Sequence, residues 1–198
     1  MSSTTTTTHL LDAPAASADP AALRARFDAA PTLEAFLPTA VKNADLWSTT
    51  ARLAKVPDDG VARVAALGGR YHLLVLSEDW CGDAVNSVPY VARLAESAPN
   101  LDLRVLPRDE NLDLMDAHLT AAARSIPVVL VYDDAFAEHG WWGPRPSELQ
   151  AWVMGPGQAI EKDARYKDVR TWYARDRGRS TLAELVALLE RVAGHGTR

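Results

Sequence analysis

The chain contains one cysteine, and it lies in SEDWCGDAVNSVP, residues 77–89. The segment follows an apolar run and precedes a stretch of helical spacing, so the sequence places Cys81 at the start of a helix. The first turn of a helix carries unpaired N–H groups and a partial positive charge. A thiolate is stabilised there, and its pKa is expected to fall from about 8.5 towards roughly 3.5–7.5. Gly82 would let a substrate backbone approach, and Trp80 would shield one side of the sulfur. Asp83 works in the opposite sense, because a nearby carboxylate disfavours a second negative charge. Ala84 supplies no second thiol. The competing reading is a buried, inert cysteine.

Other chemistry-bearing patterns are weaker. DENLD, residues 109–113, has the spacing that opens a calcium loop, but Leu114 stands where the glycine is needed. Its acidic residues suit the first turn of a helix instead. The histidines at 9, 72, 118, 139 and 195 show no metal-ligand spacing, so no metal is expected. ARYKDVRTWYARDRGR, residues 164–179, mixes arginine and lysine with aromatics. It reads as an amphipathic helix burying Tyr166, Val169 and Trp172 or Tyr173, with its charges wet. No glycine-rich phosphate loop is present, and no cofactor is expected.

Composition narrows the class. With 198 residues the chain is long enough for one domain with a real core. A formal net charge of -5 argues against nucleic acid or an anionic membrane as the main partner. No apolar run is long enough to span a bilayer. The N-terminus lacks a basic start and an apolar core, so it does not read as a secretory signal. A single cysteine forbids an intrachain disulfide, and a cytoplasmic protein is expected. Residues 1–18, rich in threonine and small side chains, read as a flexible tail. Residues 19–194 read as a single domain.

The elements that would position Cys81 come from periodicity. Asp19 and Pro20 start a helix through Leu23 and Phe27, and Thr39 is placed as the cap of a longer one through Trp47. A short helix ends at Gly68 and Gly69. YHLLVL (71–76) is a buried strand, followed by a helix through Ala84, Val88, Val91 and Ala95. LDLRVL (101–106) is a strand, Leu112, Met115 and Leu119 share a helix, and PVVLVY (127–132) is another strand. FAEHGWW returns as a hairpin partner, and a helix starts after Pro144 and Pro146. One helix spans about 159–175. The last carries Thr181 and Glu184 at capping-box spacing. The order implies an α/β sheet with parallel crossovers, one antiparallel hairpin and helical extensions at both ends.

With the elements in place, WCGDAVNSVP resembles the active-site segment of the thioredoxin superfamily. That segment has Trp, Cys, two residues, a second Cys, and a proline five residues later. Trp80, Cys81, Gly82 and Pro89 match. SIPVV matches the family's cis-proline, with Ile126 and Pro127 in place. The Asp83 variant, with DENLDLM and GPRPSELQ further on, is similar to a little-characterised bacterial group within that superfamily. The resemblance covers a core of about residues 70–156. It implies a thioredoxin-like fold, a central mixed sheet flanked by helices. It also implies that Cys81 is catalytic and that Ile126 and Pro127 bind substrate beside it. Two departures stand out: the second cysteine falls on Ala84, and the buried carboxylate of the preceding strand falls on Val75. The expected activity is therefore thiol–disulfide exchange through Cys81 alone. Its partner would be a disulfide-bearing protein or a low-molecular-weight thiol, and an external thiol would resolve the mixed disulfide. The alternative is a catalytically silent adaptor that binds a protein or peptide.

Overall fold

The computed structural model describes residues 7–15 and 19–195. In chain order the elements are β1 (Thr8–Ala15), α1 (Pro20–Ala29), α2 (Leu33–Phe36), α3 (Ala44–Leu53), α4 (Asp58–Ala65), β2 (Tyr71–Ser77) and α5 (Gly82–Ser97). They continue as β3 (Leu101–Pro107), α6 (Leu112–Asp116), β4 (Val128–Asp133), β5 (Glu138–Trp142), α7 (Ser147–Met154), α8 (Lys162–Asp176) and α9 (Arg179–His195). The five strands form one mixed sheet in the order β1-β5-β4-β2-β3.

Strand β2 is buried along its whole length because helices cover both faces of the sheet. His72, Leu74, Leu130, Tyr132 and Trp141 are linked by cross-strand pairs and share one face. On that face Phe27 of α1 meets the His72 ring edge-on at 5.1 Å. Trp142 points to the opposite face, where Glu184 of α9 accepts a hydrogen bond from its indole at 2.7 Å. The core runs without interruption from Leu23 to Val192.

Four local expectations are corrected. First, part of the segment read as a tail is a strand. Thr8–Ala15 pairs antiparallel with β5, with Thr8 opposite Trp142 and His9 opposite Trp141. Threonine suits a half-buried pleat, and pairing with an open sheet edge supplies backbone bonds that composition does not reveal. Residues 1–6 and 16–18 of that segment lie outside the described residues. Second, only β2 and β3 are parallel, joined by the 16-residue α5, while β4 runs antiparallel to β2. The β3–β4 connection carries only the five-residue α6, and the chain enters β4 at the same end of the sheet at which it leaves β3.

Third, Thr39 lies in a 3-10 turn, and α3 starts after Asn43, whose φ is 54°. Fourth, Thr181 and Glu184 form no capping box. Thr181 is buried inside α9, and it is Asp176 that accepts hydrogen bonds from the Ser180 N–H and hydroxyl near the start of that helix. Glu184 is instead a junction. Besides the Trp142 indole it accepts the Ser147 N–H at 2.8 Å, capping α7 from another helix, and the Thr7 hydroxyl at 3.2 Å beside β1.

Glu184→Ala should therefore strand a fully buried indole donor and uncap α7. A loss of about 1–3 kcal/mol is expected from the unsatisfied donor. Chemical denaturation of the two proteins checks it, and a change below about 0.5 kcal/mol would contradict the junction role.

Candidate active site around Cys81

The loop between β2 and α5 is held from two sides before it reaches the cysteine. Asp79 Oδ2 accepts the N–H groups of Val41 and Lys42, each at 2.8 Å, and the Trp47 indole donates to the Asp79 carbonyl at 2.9 Å. On the other side Glu78 Oε1 accepts the Asp109 N–H at 2.9 Å. The segment 37–47 thus braces the motif, which explains why Trp47 is fully buried at the start of the domain.

Cys81 is the N-cap of α5, as its place between strand and helix predicts. Its sulfur accepts the Ala84 N–H at 3.4 Å and donates to the Ile126 carbonyl oxygen at 3.3 Å. The Ile126–Pro127 peptide is cis, in keeping with the resemblance. The sulfur, Ile126 and the start of β4 are therefore brought together. Trp80 is 48 % exposed, with the Arg108 guanidinium 5.0 Å from its ring centre. Gly82 faces open space where a side chain would project, which leaves that approach clear. Ala84, at the position of the missing thiol, is fully buried.

The electrostatics run against the expected activation. Burial pushes the Cys81 thiol up, Asp83 adds to the rise, and the N–H groups of α5 only partly offset them, leaving the pKa at about 11. The hydrogen bond to Ile126 acts in the same direction, because a thiolate has no proton to donate. The helix N-terminus is present, but desolvation outweighs it in a residue only 7 % exposed.

Asp83 is itself enclosed. Arg145 Nη2 lies 2.6 Å from one carboxylate oxygen, and the Tyr173 hydroxyl donates to the other at 3.0 Å. Arg145 also donates to Gln150 Oε1 at 2.8 Å. Burial raises the Asp83 carboxyl above the usual carboxylate range, and Arg145 and Tyr173 only partly offset the rise. This network joins α5, the loop after β5, α7 and α8. Arg145 and Tyr173 escape a reading of the sequence because they lie far along the chain. The available signal is the carboxylate beside a helix start, which requires a counter-charge when buried.

A second cis peptide, Gly143–Pro144, brings this loop against Pro127. A Cβ at Gly143, whose φ is +142°, would collide with the Pro127 carbonyl oxygen, so only glycine fits. The neighbouring tryptophans stay out of the site. Trp142 is buried against α9, and Trp141 stacks on His9 at 3.6 Å. The DENLD aspartates are engaged by arginines: Asp109 by Arg108 and Asp113 by Arg26. Helix α8 buries Tyr173, but Tyr166 is half exposed. The expected core stripe of that helix instead turns towards a cavity of about 330 Å³ beside the motif. Trp80, Gly82 and Asn86 form one wall and Arg165, Tyr166 and Arg170 the other.

A mixed sheet of this order, with a cysteine capping the helix after β2 and a cis-proline before β4, defines a thioredoxin-like protein. A thioredoxin family model matches residues 30–169, and the chain belongs to that family. The crystal structure of PA1234 from Pseudomonas aeruginosa, a protein of unknown function, superimposes with a TM-score of 0.65 at 24 % identity, covering 83 % of this chain and 94 % of that one. An HIV 4E10 epitope-scaffold gives a TM-score of 0.65 at 20 % identity, covering 84 % of this chain and 96 % of its own. These likenesses establish the fold. None of the curated proteins matches the chain. No helix among the described residues is long and apolar enough to cross a membrane.

Asp83→Asn should lower the Cys81 pKa, since it removes a negative charge and frees the Arg145 cation. Alkylation at pH 7.5 should quicken roughly tenfold for each unit of the fall. An unchanged pH profile in Asp83→Asn would show that desolvation alone sets the thiol. The wild-type thiol also links pH to stability. Its folded pKa of about 11 lies above the ordinary value of 9.0. Its contribution is therefore complete below the unfolded pKa and is lost as pH rises towards 11. Denaturation midpoints at pH 7 and pH 10 should differ more in wild type than in Cys81→Ser.

Proposed function

We propose that the protein carries out thiol–disulfide exchange through Cys81 alone, with an external thiol completing the cycle. The observation that carries this reading is the position of the sulfur. It caps α5, lies 3.3 Å from the Ile126 carbonyl beside cis-Pro127, and has no second cysteine in the chain to resolve it.

In the first step the Cys81 thiolate attacks one sulfur of a disulfide. The substrate S–S bond breaks, a Cys81 mixed disulfide forms, and the departing thiolate takes up the proton that Cys81 released. In the second step an external thiolate attacks the substrate sulfur and Cys81 leaves. The raised pKa has opposite consequences for the two steps. Little thiolate exists at neutral pH, but the thiolate that forms is strongly nucleophilic. Conversely, Cys81 is a poor leaving group, so the mixed disulfide persists. These features support a carrier of a thiol cap rather than a rapid reductase. A substrate N–H that took the Ile126 carbonyl would also release the Cys81 proton from its hydrogen bond, coupling thiolate formation to binding.

The high pKa also favours a second reading, a redox-silent adaptor that keeps the groove and holds its cysteine inert. One measurement checks the thiol that both readings share, and two separate them. Alkylation of wild type should rise about tenfold per pH unit from 7 to 9, with a midpoint near 11. A small mixed disulfide with excess free thiol should turn over, and Cys81→Ser should abolish that turnover. Turnover that is absent, or equal in Cys81→Ser, defeats exchange and leaves the adaptor. Ala84→Cys should place a resolving thiol one turn from Cys81. Its mixed disulfide should release the bound thiol without added reductant, as followed by mass spectrometry.

A further inference from the structure

We propose that the cavity between α5 and α8 is the seat of the small-molecule partner, and that it selects thiols and disulfides carrying two carboxylates. The proposal rests on the exchange reading for its sulfur chemistry and on the cavity for its selectivity.

The charge balance is the first argument. Three guanidinium groups line the cavity, those of Arg145, Arg165 and Arg170, against one carboxylate, Asp83. Asp83 is already committed to Arg145. Neither Arg165 nor Arg170 forms a salt bridge among the described residues. Arg165 makes a long hydrogen bond to the Gly157 carbonyl, at 3.5 Å, and acts more remotely on Glu161. Two cations, Arg170 and an Arg165 whose carboxylate neighbour is the remote Glu161, therefore line a concave space in a protein whose net charge is -5. Guanidinium groups recognise carboxylates through paired N–H bonds, which gives the class of ligand.

Size and access are the second argument. A volume of about 330 Å³ suits a small molecule rather than a folded partner. Cys81 is 7 % exposed and Ile126 4 %, and neither lines the cavity, so the cavity flanks the sulfur rather than containing it. Trp80 and Gly82, the residues on either side of Cys81, both line the cavity. A ligand with its acidic ends on Arg165 and Arg170 thus lies next to the residues flanking the reactive atom. The exposed faces of Trp80 and Tyr166, 48 % and 50 % accessible, offer apolar cover for its carbon chain. The exchange step is the one written above, with the dicarboxylate disulfide as substrate. The Cys81 thiolate breaks the substrate S–S bond and forms the mixed disulfide, the released half takes up the proton, and an external thiol of a different kind attacks the cap and carries it off as its own mixed disulfide, freeing Cys81.

The test compares three small disulfides of one core length: dithiodipropionate (two carboxylates), 2-hydroxyethyl disulfide (neutral) and cystamine (two ammonium groups). Rates of Cys81 capping are normalised to those of a free cysteine derivative. Dithiodipropionate is expected to react at least tenfold faster than the neutral disulfide, and 0.5 M salt or the Arg165→Ala/Arg170→Ala variant should reduce the preference to less than twofold. Equal rates, or a preference that survives the double variant, overturn the proposal. A separate arm uses Cys81→Ser, which keeps the cavity, titrated with the unreactive thioether thiodipropionate and followed by tryptophan fluorescence. Saturable, salt-sensitive binding that is lost with both arginines is expected. Failure of every disulfide to cap Cys81, together with intact thioether binding, would overturn exchange and leave the anion site standing. Absent thioether binding overturns the site itself.

Discussion

The Asp83–Arg145 ion pair sits where the reactive centre and the extra helices meet. A carboxylate two residues after the cysteine would repel a thiolate and would be costly to bury alone. Arg145 answers the charge and Tyr173 fills the remaining acceptor. Both partners must be carried to α5 from distant parts of the chain. That requirement accounts for the tight Gly143–Pro144 corner and for the way α8 lies across the motif. The same pair helps set the thiol, since Asp83 raises its pKa and Arg145 lowers it. Position and chemistry are thus joined in one buried contact.

The site shows that a helix N-terminus is not by itself sufficient for a stable thiolate. The N–H of Ala84 points at the sulfur, and the acceptor geometry is as expected. Removal of water opposes it, and so does a carbonyl that asks the sulfur for a proton. The balance favours the neutral thiol in the resting protein. A thiol that is weakly ionised but strongly nucleophilic once ionised retains what it captures, which fits a chain without a resolving cysteine.

Much of this was legible in the sequence. The strand before Cys81, the helix after it and Pro127 at the head of β4 follow from apolar runs and punctuation, because these signals are local. The edge strand at Thr8–Ala15 was not legible, since its stability lies in pairing with β5 rather than in its own composition. Glu184 misled for a related reason. Its spacing from Thr181 imitates a cap, yet its hydrogen bonds go to Trp142 and Ser147. Tyr166 and Val169 have the spacing of a core stripe, but the element they face is a cavity wall. In each case the residue type is right for its chemistry, and the partner is chosen by topology.

Strand β1 bears on how the chain assembles. Thr8 and its neighbour in the sheet, Trp142, lie far apart along the chain. During synthesis β1 cannot pair with β5 until Glu138–Trp142 has left the ribosome. The β1–β5 edge can therefore be completed only after β2, β3 and β4 have been made. Glu184 of α9 accepts the Thr7 hydroxyl beside β1, so a single carboxylate latches the outermost described strand to the last described helix.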